Sequence, residues 1–185
     1  MKMPVLTTER LCLRPFSVAD FPACDRLFQE VWRTEAQREW MEWVSRNSSE
    51  LENLHQPPYG DRALVLRESG AIIGSAGLTP AFGPFGMLPG FGGEPDSEAA
   101  QRNTPEIGLF WMLSPKHRGK GYATEAARAL ISFAFADMNV RRIVATTEYD
   151  NLASVAVMKR LNMRIVRNPH PTPEWFQIVG VLPHE

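Results

Sequence analysis

Between an apolar, strand-like run and a helical pattern, the chain reads KHRGKGYATE at residues 116–125. Glycines at 119 and 121 let the backbone approach a ligand closely, and successive N–H groups in such a turn can form an anion-binding concavity. The helix that follows directs its positive dipole end and its unpaired N–H groups to the same place. Arg118 and Lys120 add positive charge. The segment therefore predicts a diphosphate site at a strand-to-helix turn.

Two common phosphate-binding motifs do not fit this segment. A P-loop needs a glycine where Ser114 stands and a serine or threonine after its lysine, where this chain has Gly121. The dinucleotide fingerprint begins correctly at Gly119, but Thr124 occupies the position of its third glycine. The alternative for an isolated glycine pair is a tight turn with no ligand at all.

Three segments together carry a family resemblance. The pattern Arg118-x-x-Gly121-x-Ala123 after a strand resembles the coenzyme A pyrophosphate loop of the GNAT N-acetyltransferases, (Gln/Arg)-x-x-Gly-x-(Gly/Ala). The wider segment EIGLFWMLSPKHRGKGYATEA at 106–126 resembles the RimJ/RimL branch, the ribosomal-protein N-terminal acetyltransferases. The segments LTTERLCLR at 6–14 and NLASVAVMKRL at 151–161 agree with that branch in order and spacing.

Alternation of strand-like and helix-like segments predicts a mixed α+β chain. Predicted strands lie at residues 10–16, 62–68, 72–78, 106–113, 142–147, 163–167 and 175–182. Predicted helices lie at residues 17–30, 34–54, 122–138 and 152–161. The resemblance implies the GNAT fold, a mostly antiparallel sheet of about seven strands flanked by helices. Its fourth and fifth strands, here residues 106–113 and 142–147, would splay apart around the pantetheine arm of coenzyme A.

We expect a single GNAT domain over residues 1–185 with a Gly/Pro-rich insertion at about 79–104. Its aromatic residues favour a partly ordered lid, and a floppy insertion is the alternative. The acids Glu94, Asp96 and Glu98 either attract a cationic amine or only keep an exposed loop solvated.

The resemblance implies a binding site for acetyl-CoA. Main-chain groups of Met112 and Leu113 would pair with the pantetheine amides, and Asn151 would touch the pantetheine or acyl region. The pyrophosphate would bind the loop from residue 118 to 124, with the side chain of its tyrosine packing against the protein: Arg118, Gly119, Lys120, Gly121, Tyr122, Ala123 and Thr124.

The implied reaction is direct attack of a neutral amine on the acetyl thioester. Because the amine must lose a proton, the general base would be a carboxylate or a water that it orders, with Glu106 as the candidate and Glu148 as its rival. The N–H of Leu113 would stabilise the oxyanion, and Ser154 would protonate the departing thiolate. Each role has a structural alternative: Glu106 as a solvated strand end, and Ser154 and Asn151 as residues that cap a helix.

The chain departs from the family pattern at two places. Many GNAT enzymes have a tyrosine acid seven residues after the asparagine, where this chain has Met158. Asn162 and Met163 replace the usual Gly-Phe ending, and asparagine tolerates the left-handed conformation of a helix terminus.

Composition limits the other function classes. The chain has 185 residues, with Lys+Arg 20 and Asp+Glu 21, for a net charge of −1, which argues against nucleic-acid binding. Its two cysteines and scattered histidines offer no zinc spacing, so no metal is expected. The absence of a signal-like or membrane-spanning run predicts a cytoplasmic protein without a membrane partner.

The acceptor remains open between a protein N-terminal amine and a small-molecule amine. A non-catalytic acyl-CoA-binding module with the same fold is the alternative function. The chain is expected to be a monomer or a homodimer, since its last strand, near residues 175–182, either pairs across a dimer or closes its own sheet.

Overall fold

The computed structural model describes residues 1–29, 37–92, 94 and 97–184. These residues form eight strands: β1 (Leu6–Thr7), β2 (Leu11–Pro15), β3 (Gly60–Leu66), β4 (Ile72–Gly83), β5 (Thr104–Leu113), β6 (Arg142–Thr147), β7 (Arg164–Arg167) and β8 (Ile178–Pro183). They also form four α-helices: α1 (Phe21–Gln29), α2 (Gln37–Asn53), α3 (Tyr122–Ala136) and α4 (Leu152–Arg160). The predicted end of the first helix at Glu30, the predicted start of the second at Thr34, and Asp96 of the acidic loop lie outside the described residues.

The strands form one sheet in the order β1-β2-β3-β4-β5-β6-β8-β7. Pairing is antiparallel at β1–β2, β2–β3, β3–β4, β6–β8 and β7–β8, and parallel at β5–β6. The predicted α+β class and mostly antiparallel GNAT sheet are confirmed. The count is eight rather than about seven because Leu6 and Thr7 pair with β2 as a short extra strand. The predicted fourth and fifth strands are therefore β5 and β6.

Strands β5 and β6 pair over a short stretch. Their recorded partners are Ile107 with Ile143 and Gly108 with Val144. In the part of the chain that the structure describes, β5 continues to Leu113 and β6 to Thr147 without further pairing to each other. That β5 and β6 splay apart around a pantetheine arm stays a prediction.

The chain divides into two compact units, and each has its own core. The first comprises Met1–Leu78 and Phe110–Met138. Its apolar cluster beneath α1 and α2 consists of Phe16, Cys24, Leu27, Met41, Val44, Ala63 and Val65. On α3, small residues pack tightly, and the buried ones include Ala123, Ala126, Ala127 and Ala134. Cys12 and Cys24 are free thiols, and burial raises the pKa of Cys24 to about 12.

The second unit comprises Thr79–Leu109 and Asn139–Glu185. Its core consists of Phe85, Leu88, Val144, Val166, Phe176, Val179 and Val181. Strand β8 lies between β6 and β7 of the same chain, so it closes the chain's own sheet. Whether the protein is a monomer or a homodimer stays a prediction.

The predicted insertion at 79–104 is more ordered than its composition indicates. Strand β4 continues through Gly83, and β5 begins at Thr104. Phe85 is fully buried and stacks on Phe91 with ring centroids 5.2 Å apart, so both belong to the second core rather than to a lid. Phe82 is 60% exposed. That residues 1–185 act as one domain stays a prediction.

No helix within the described ranges is long and apolar enough to cross a membrane.

Candidate active site

The glycine-rich turn follows directly from the end of β5. The N–H of Ser114 donates to the carbonyl oxygen of Ile73 at 2.9 Å, which fixes the point where the chain leaves the sheet. Gly119 and Gly121 then adopt φ values of +75° and +84°. Residues with a Cβ rarely adopt this left-handed region, so the turn requires glycine at both positions. Gly121 is the N-cap of α3.

The N-terminus of α3 is open. Its N-cap residue, Gly121, has no side chain that could cap it. A methyl group built on Gly119 would meet nothing within 4 Å. Helix N-termini leave their first N–H groups unpaired and carry a partial positive charge. The turn therefore has donors, space and a field that suit an anion, and the diphosphate site stays a prediction.

The charged and small residues of the turn have distinct positions. Lys120 is exposed, whereas the Nε of Arg118 donates to the carbonyl oxygen of Leu113 at 3.1 Å and ties the turn back to β5. Ala123 and Thr124 are buried in the first turn of α3. The carbonyl oxygen of Leu113 is therefore engaged by Arg118.

A network that sequence reasoning missed braces this turn. Glu125 Oε1 accepts from the Thr8 hydroxyl at 2.6 Å and from the Arg10 N–H at 2.8 Å, and Oε2 accepts from Arg10 Nε at 2.7 Å. Arg10 Nη1 also donates to the carbonyl oxygen of Lys120 at 3.0 Å. Its guanidinium lies 4.5 Å from the ring centroid of Tyr122.

This brace leaves Glu125 ionised. Burial raises the pKa of Glu125, but hydrogen bonds from Thr8 and Arg10 outweigh burial and hold the pKa below its ordinary value. Arg10 lies in the segment at 6–14, which is one of the three that carry the family resemblance, but no role was predicted for it.

Glu106 lies in an ion pair in the second unit. Its Oε2 accepts from Arg142 Nε at 2.8 Å, and its Oε1 accepts from Arg142 Nη2 in a short contact. The Glu106 and Arg142 side chains are 9% and 15% exposed. Arg142 also lies over the ring of Phe91, 4.3 Å from its centroid. Both carboxylate oxygens are thus engaged by one guanidinium from the neighbouring parallel strand.

Asn151, Ser154 and Glu148 lie together at the start of α4. The side chain of Asn151 accepts from the N–H of Ser154 at 3.1 Å, so Asn151 is the N-cap of this helix. Glu148 is exposed and accepts from the Thr147 hydroxyl at 3.0 Å. Hydrogen bonds from its own backbone, from Thr147 and from Asn151 lower the pKa of Glu148.

The two departures from the family pattern have structural explanations. Met158 is 1% exposed, and a methyl group on Gly180 would lie 3.0 Å from its sulfur, so this position belongs to the core. Asn162 has a φ of +60°, which confirms the predicted left-handed helix terminus.

A family model described as an acetyltransferase (GNAT) domain matches residues 10–164. The chain belongs to the GNAT acetyltransferase family. The predicted family and enzyme class are confirmed, and a GNAT acetyltransferase is an acetyl-CoA-dependent acyltransferase. Within the described ranges, no three His, Cys, Asp or Glu side chains are grouped as metal ligands would be.

Relatives and solved structures agree with this membership. An uncharacterized N-acetyltransferase of Bacillus subtilis, YnaD, is 28% identical over 166 residues, 86% of this chain and 82% of that protein. The crystal structure of an acetyltransferase from Agrobacterium tumefaciens is 26% identical, covers 100% of this chain and 96% of its own, and has a TM-score of 0.66. RimL, a ribosomal alpha-N-protein acetyltransferase solved in complex with coenzyme A, shares the fold at 16% identity, with 96% of each chain covered and a TM-score of 0.60.

Proposed function

We propose that this GNAT acetyltransferase transfers the acetyl group of acetyl-CoA to a primary amine, by direct attack in a ternary complex. The acceptor is either a protein N-terminal α-amine or a small-molecule amine. The observation that carries the proposal is the uncapped N-terminus of α3, preceded by two left-handed glycines and joined to β5.

The turn after β5 holds the diphosphate of acetyl-CoA in this proposal. The N–H groups from residue 118 to 123 donate to the phosphate oxygens, Thr124 assists, and Lys120 supplies mobile charge. Main-chain groups of Met112 and Leu113 pair with the pantetheine. Such N–H donors suit an anion because the helix dipole and the unpaired donors act at the same point.

Two further groups serve the thioester. The N–H of Leu113 donates to the oxygen that becomes negative as the amine attacks, which lowers the barrier because the donor is held in place beforehand. The Ser154 hydroxyl gives a proton to the departing thiolate. In the described part of the chain, no hydrogen bond of this hydroxyl is found, whereas the N–H of Ser154 donates to the side chain of Asn151.

The two predicted bases, Glu106 and Glu148, have different surroundings. Glu106 as base would have to give up one of two hydrogen bonds to Arg142. Glu148 is exposed and ionised, so it would act through water. A role for Asn151 in touching the acyl region competes with its role as N-cap, and both need the same side-chain oxygen.

The acceptor class stays open in this proposal. Glu98 is paired with Arg102 at 3.4 Å, and both side chains are highly exposed, so this acid of the loop has a solvated partner already. Glu94 is exposed. A cationic substrate therefore gains no buried carboxylate from these two residues.

The test is a thermal-shift titration with acetyl-CoA, coenzyme A, ATP and NAD on wild type, Gly119→Trp and Gly70→Trp. Gly70 is the matched control, since it has a φ of +71° against +75° for Gly119 and is equally open. Acetyl-CoA should stabilise wild type and Gly70→Trp, by about 2.7 kcal/mol at a hundredfold excess over Kd, but not Gly119→Trp. Stabilisation of wild type by ATP or NAD and by no acyl-CoA would overturn the proposal.

A further inference from the structure

Asp61 is a carboxyl group that none of the roles above uses. It lies on β3, where its cross-strand partner on β4 is Gly77, while Ala63 is opposite Ser75. Side chains alternate between the faces of a strand, so Asp61 shares a face with Ala63 and Val65. Those two residues belong to the apolar cluster beneath α1 and α2. The side chain of Asp61 therefore lies on the same face of the sheet as this apolar cluster.

Asp61 is held by a neutral partner. The hydroxyl of the fully buried Ser75 donates to Asp61 Oδ1 at 2.5 Å. Asp61 itself is half-buried. The adjacent Arg62 donates instead to the carbonyl oxygen of Pro4 at 2.6 Å. Within the described residues, no ion pair to Asp61 is found.

The environment of Asp61 raises its pKa. Burial raises the pKa of Asp61, and the hydrogen bonds from Ser75 and from its own backbone offset only part of that rise. A general base works best when its pKa lies near the operating pH, and an upward shift moves a carboxyl in that direction.

Phe110 brings the strand that the proposed function uses close to Asp61. Gly77, the cross-strand partner of Asp61, is closely covered: a methyl group on it would lie 2.0 Å from the carbonyl oxygen of Gly60 and 2.9 Å from Cζ of Phe110, so the aromatic ring of β5 packs over this glycine. Met112, two residues further along β5, packs against the same apolar cluster as Ala63. Phe110 and Met112 are half-buried. Strands lie about 4.8 Å apart, so the step from β3 across β4 to β5 spans roughly 10 Å.

We propose that Asp61 is the general base, and that the acceptor amine lies against Phe110 on the face of the sheet that carries Asp61. The inference rests on the proposed function, because it requires the thioester to bind beside Met112 and Leu113. A carboxylate beside an aromatic ring is also a favourable site for an ammonium group, which both groups attract.

In the proposed reaction, an acceptor ammonium gives one proton to Asp61, directly or through one water, and Asp61 passes it to solvent. The freed lone pair forms the C–N bond, the C–S bond breaks, and its electron pair stays on sulfur. The amine nitrogen loses a second proton as the amide forms, and one proton ends on the thiolate. The products are an N-acetyl amide, coenzyme A and one released proton.

Three carboxylates compete for this role, and their surroundings differ. Glu106 has both oxygens bound by Arg142. Glu148 is exposed, and its pKa is lowered. Asp61 alone of the three combines partial burial, a neutral hydrogen-bond partner and a raised pKa. It also shares a face with Phe110 and Met112, on the strand assigned to the thioester.

The experiment measures release of coenzyme A with three primary amines: a tetrapeptide with a free N-terminal serine, spermidine and benzylamine. The variants are Asp61→Asn, Asp61→Glu, Ser75→Ala, Glu106→Gln and Glu148→Gln. Acetyl-CoA thermal shift on each variant reports folding and cosubstrate binding separately from turnover. We expect Asp61→Asn to lower kcat/KM by roughly a hundredfold or more, in the range of general-base effects, with an unchanged acetyl-CoA shift.

The other variants make the result decisive. Asp61→Glu should recover part of the lost rate, and Ser75→Ala should keep most of it because the carboxyl remains. A loss under threefold in Asp61→Asn, with a hundredfold loss in Glu148→Gln or Glu106→Gln, would overturn the assignment and leave acetyl transfer standing. If wild type binds no acetyl-CoA, or binds it and acetylates none of the three amines, the proposed function and this inference both fail.

Discussion

Two helices of this molecule begin in opposite ways. At α4, the Asn151 side chain accepts from the N–H of Ser154 and caps the helix in the usual manner. At α3, the N-cap is Gly121 in a left-handed conformation, and this residue has no side chain that could cap the helix. A capped start satisfies the chain's own donors, whereas an open start keeps them for a ligand. The absence of a capping side chain on α3 therefore points to a ligand site as much as the two glycines do.

The largest effect should come from closing the open start with charge. Gly119→Asp would place a carboxylate in the open space beside the N–H groups, where it competes with the diphosphate and repels it. Aspartate tolerates positive φ better than most residues. We expect acetyl-CoA affinity to fall roughly thirtyfold relative to Gly119→Asn, about 2 kcal/mol. Isothermal titration of both variants measures it, and equal affinities would contradict an anion site.

A smaller effect should follow from opening the capped start. Asn151→Ala removes the cap of α4 and should lower the free energy of unfolding by about 1 kcal/mol, measured by urea denaturation. Asn151→Ser keeps a capping oxygen and is the matched control. If both variants keep wild-type stability and instead lose acetyl-CoA affinity equally, Asn151 serves the ligand and the contrast between the two helices is wrong.

The smallest effect concerns the brace that positions the open start. Glu125→Gln weakens the hold on Arg10 and also removes a negative charge close to the proposed diphosphate site. Removing that charge alone would tighten anion binding, whereas loosening the brace should weaken it. We expect acetyl-CoA to bind about threefold more weakly, near 0.7 kcal/mol. Tighter binding in a titration would show that Glu125 acts only through its charge.

The family and the fold could be predicted from sequence because their signals are local. Gly119 and Gly121 have fixed spacing after an apolar run, and the following residues have helical periodicity. A turn at Gly119 and Gly121 between a strand and a helix was predicted, whereas the left-handed conformation of the two glycines was not. By contrast, Asn162 was predicted to end a helix in a left-handed conformation, and its φ of +60° confirms it.

The candidate site was less predictable because its side chains meet across the chain. Glu106 was predicted to be the general base or a solvated strand end, and its partner Arg142 is 36 positions away on another strand. Phe85 lies in a Gly/Pro-rich segment that reads as a loop, yet it is fully buried. Asp61 lies at the start of β3, just after Gly60, where acidic residues are ordinarily solvated. Only the register of β3 with β4 places Ser75 beside it.

The brace between Arg10 and Glu125 has a consequence for how the protein is made. Its two ends are 115 positions apart in the chain. During synthesis, the N-terminal segment therefore emerges long before the helix it must hold, and contacts of such long range are expected to form late in folding. Closing this contact costs more chain entropy than forming the hairpin of β3 and β4, so the turn after β5 is expected to gain its support after that hairpin has formed.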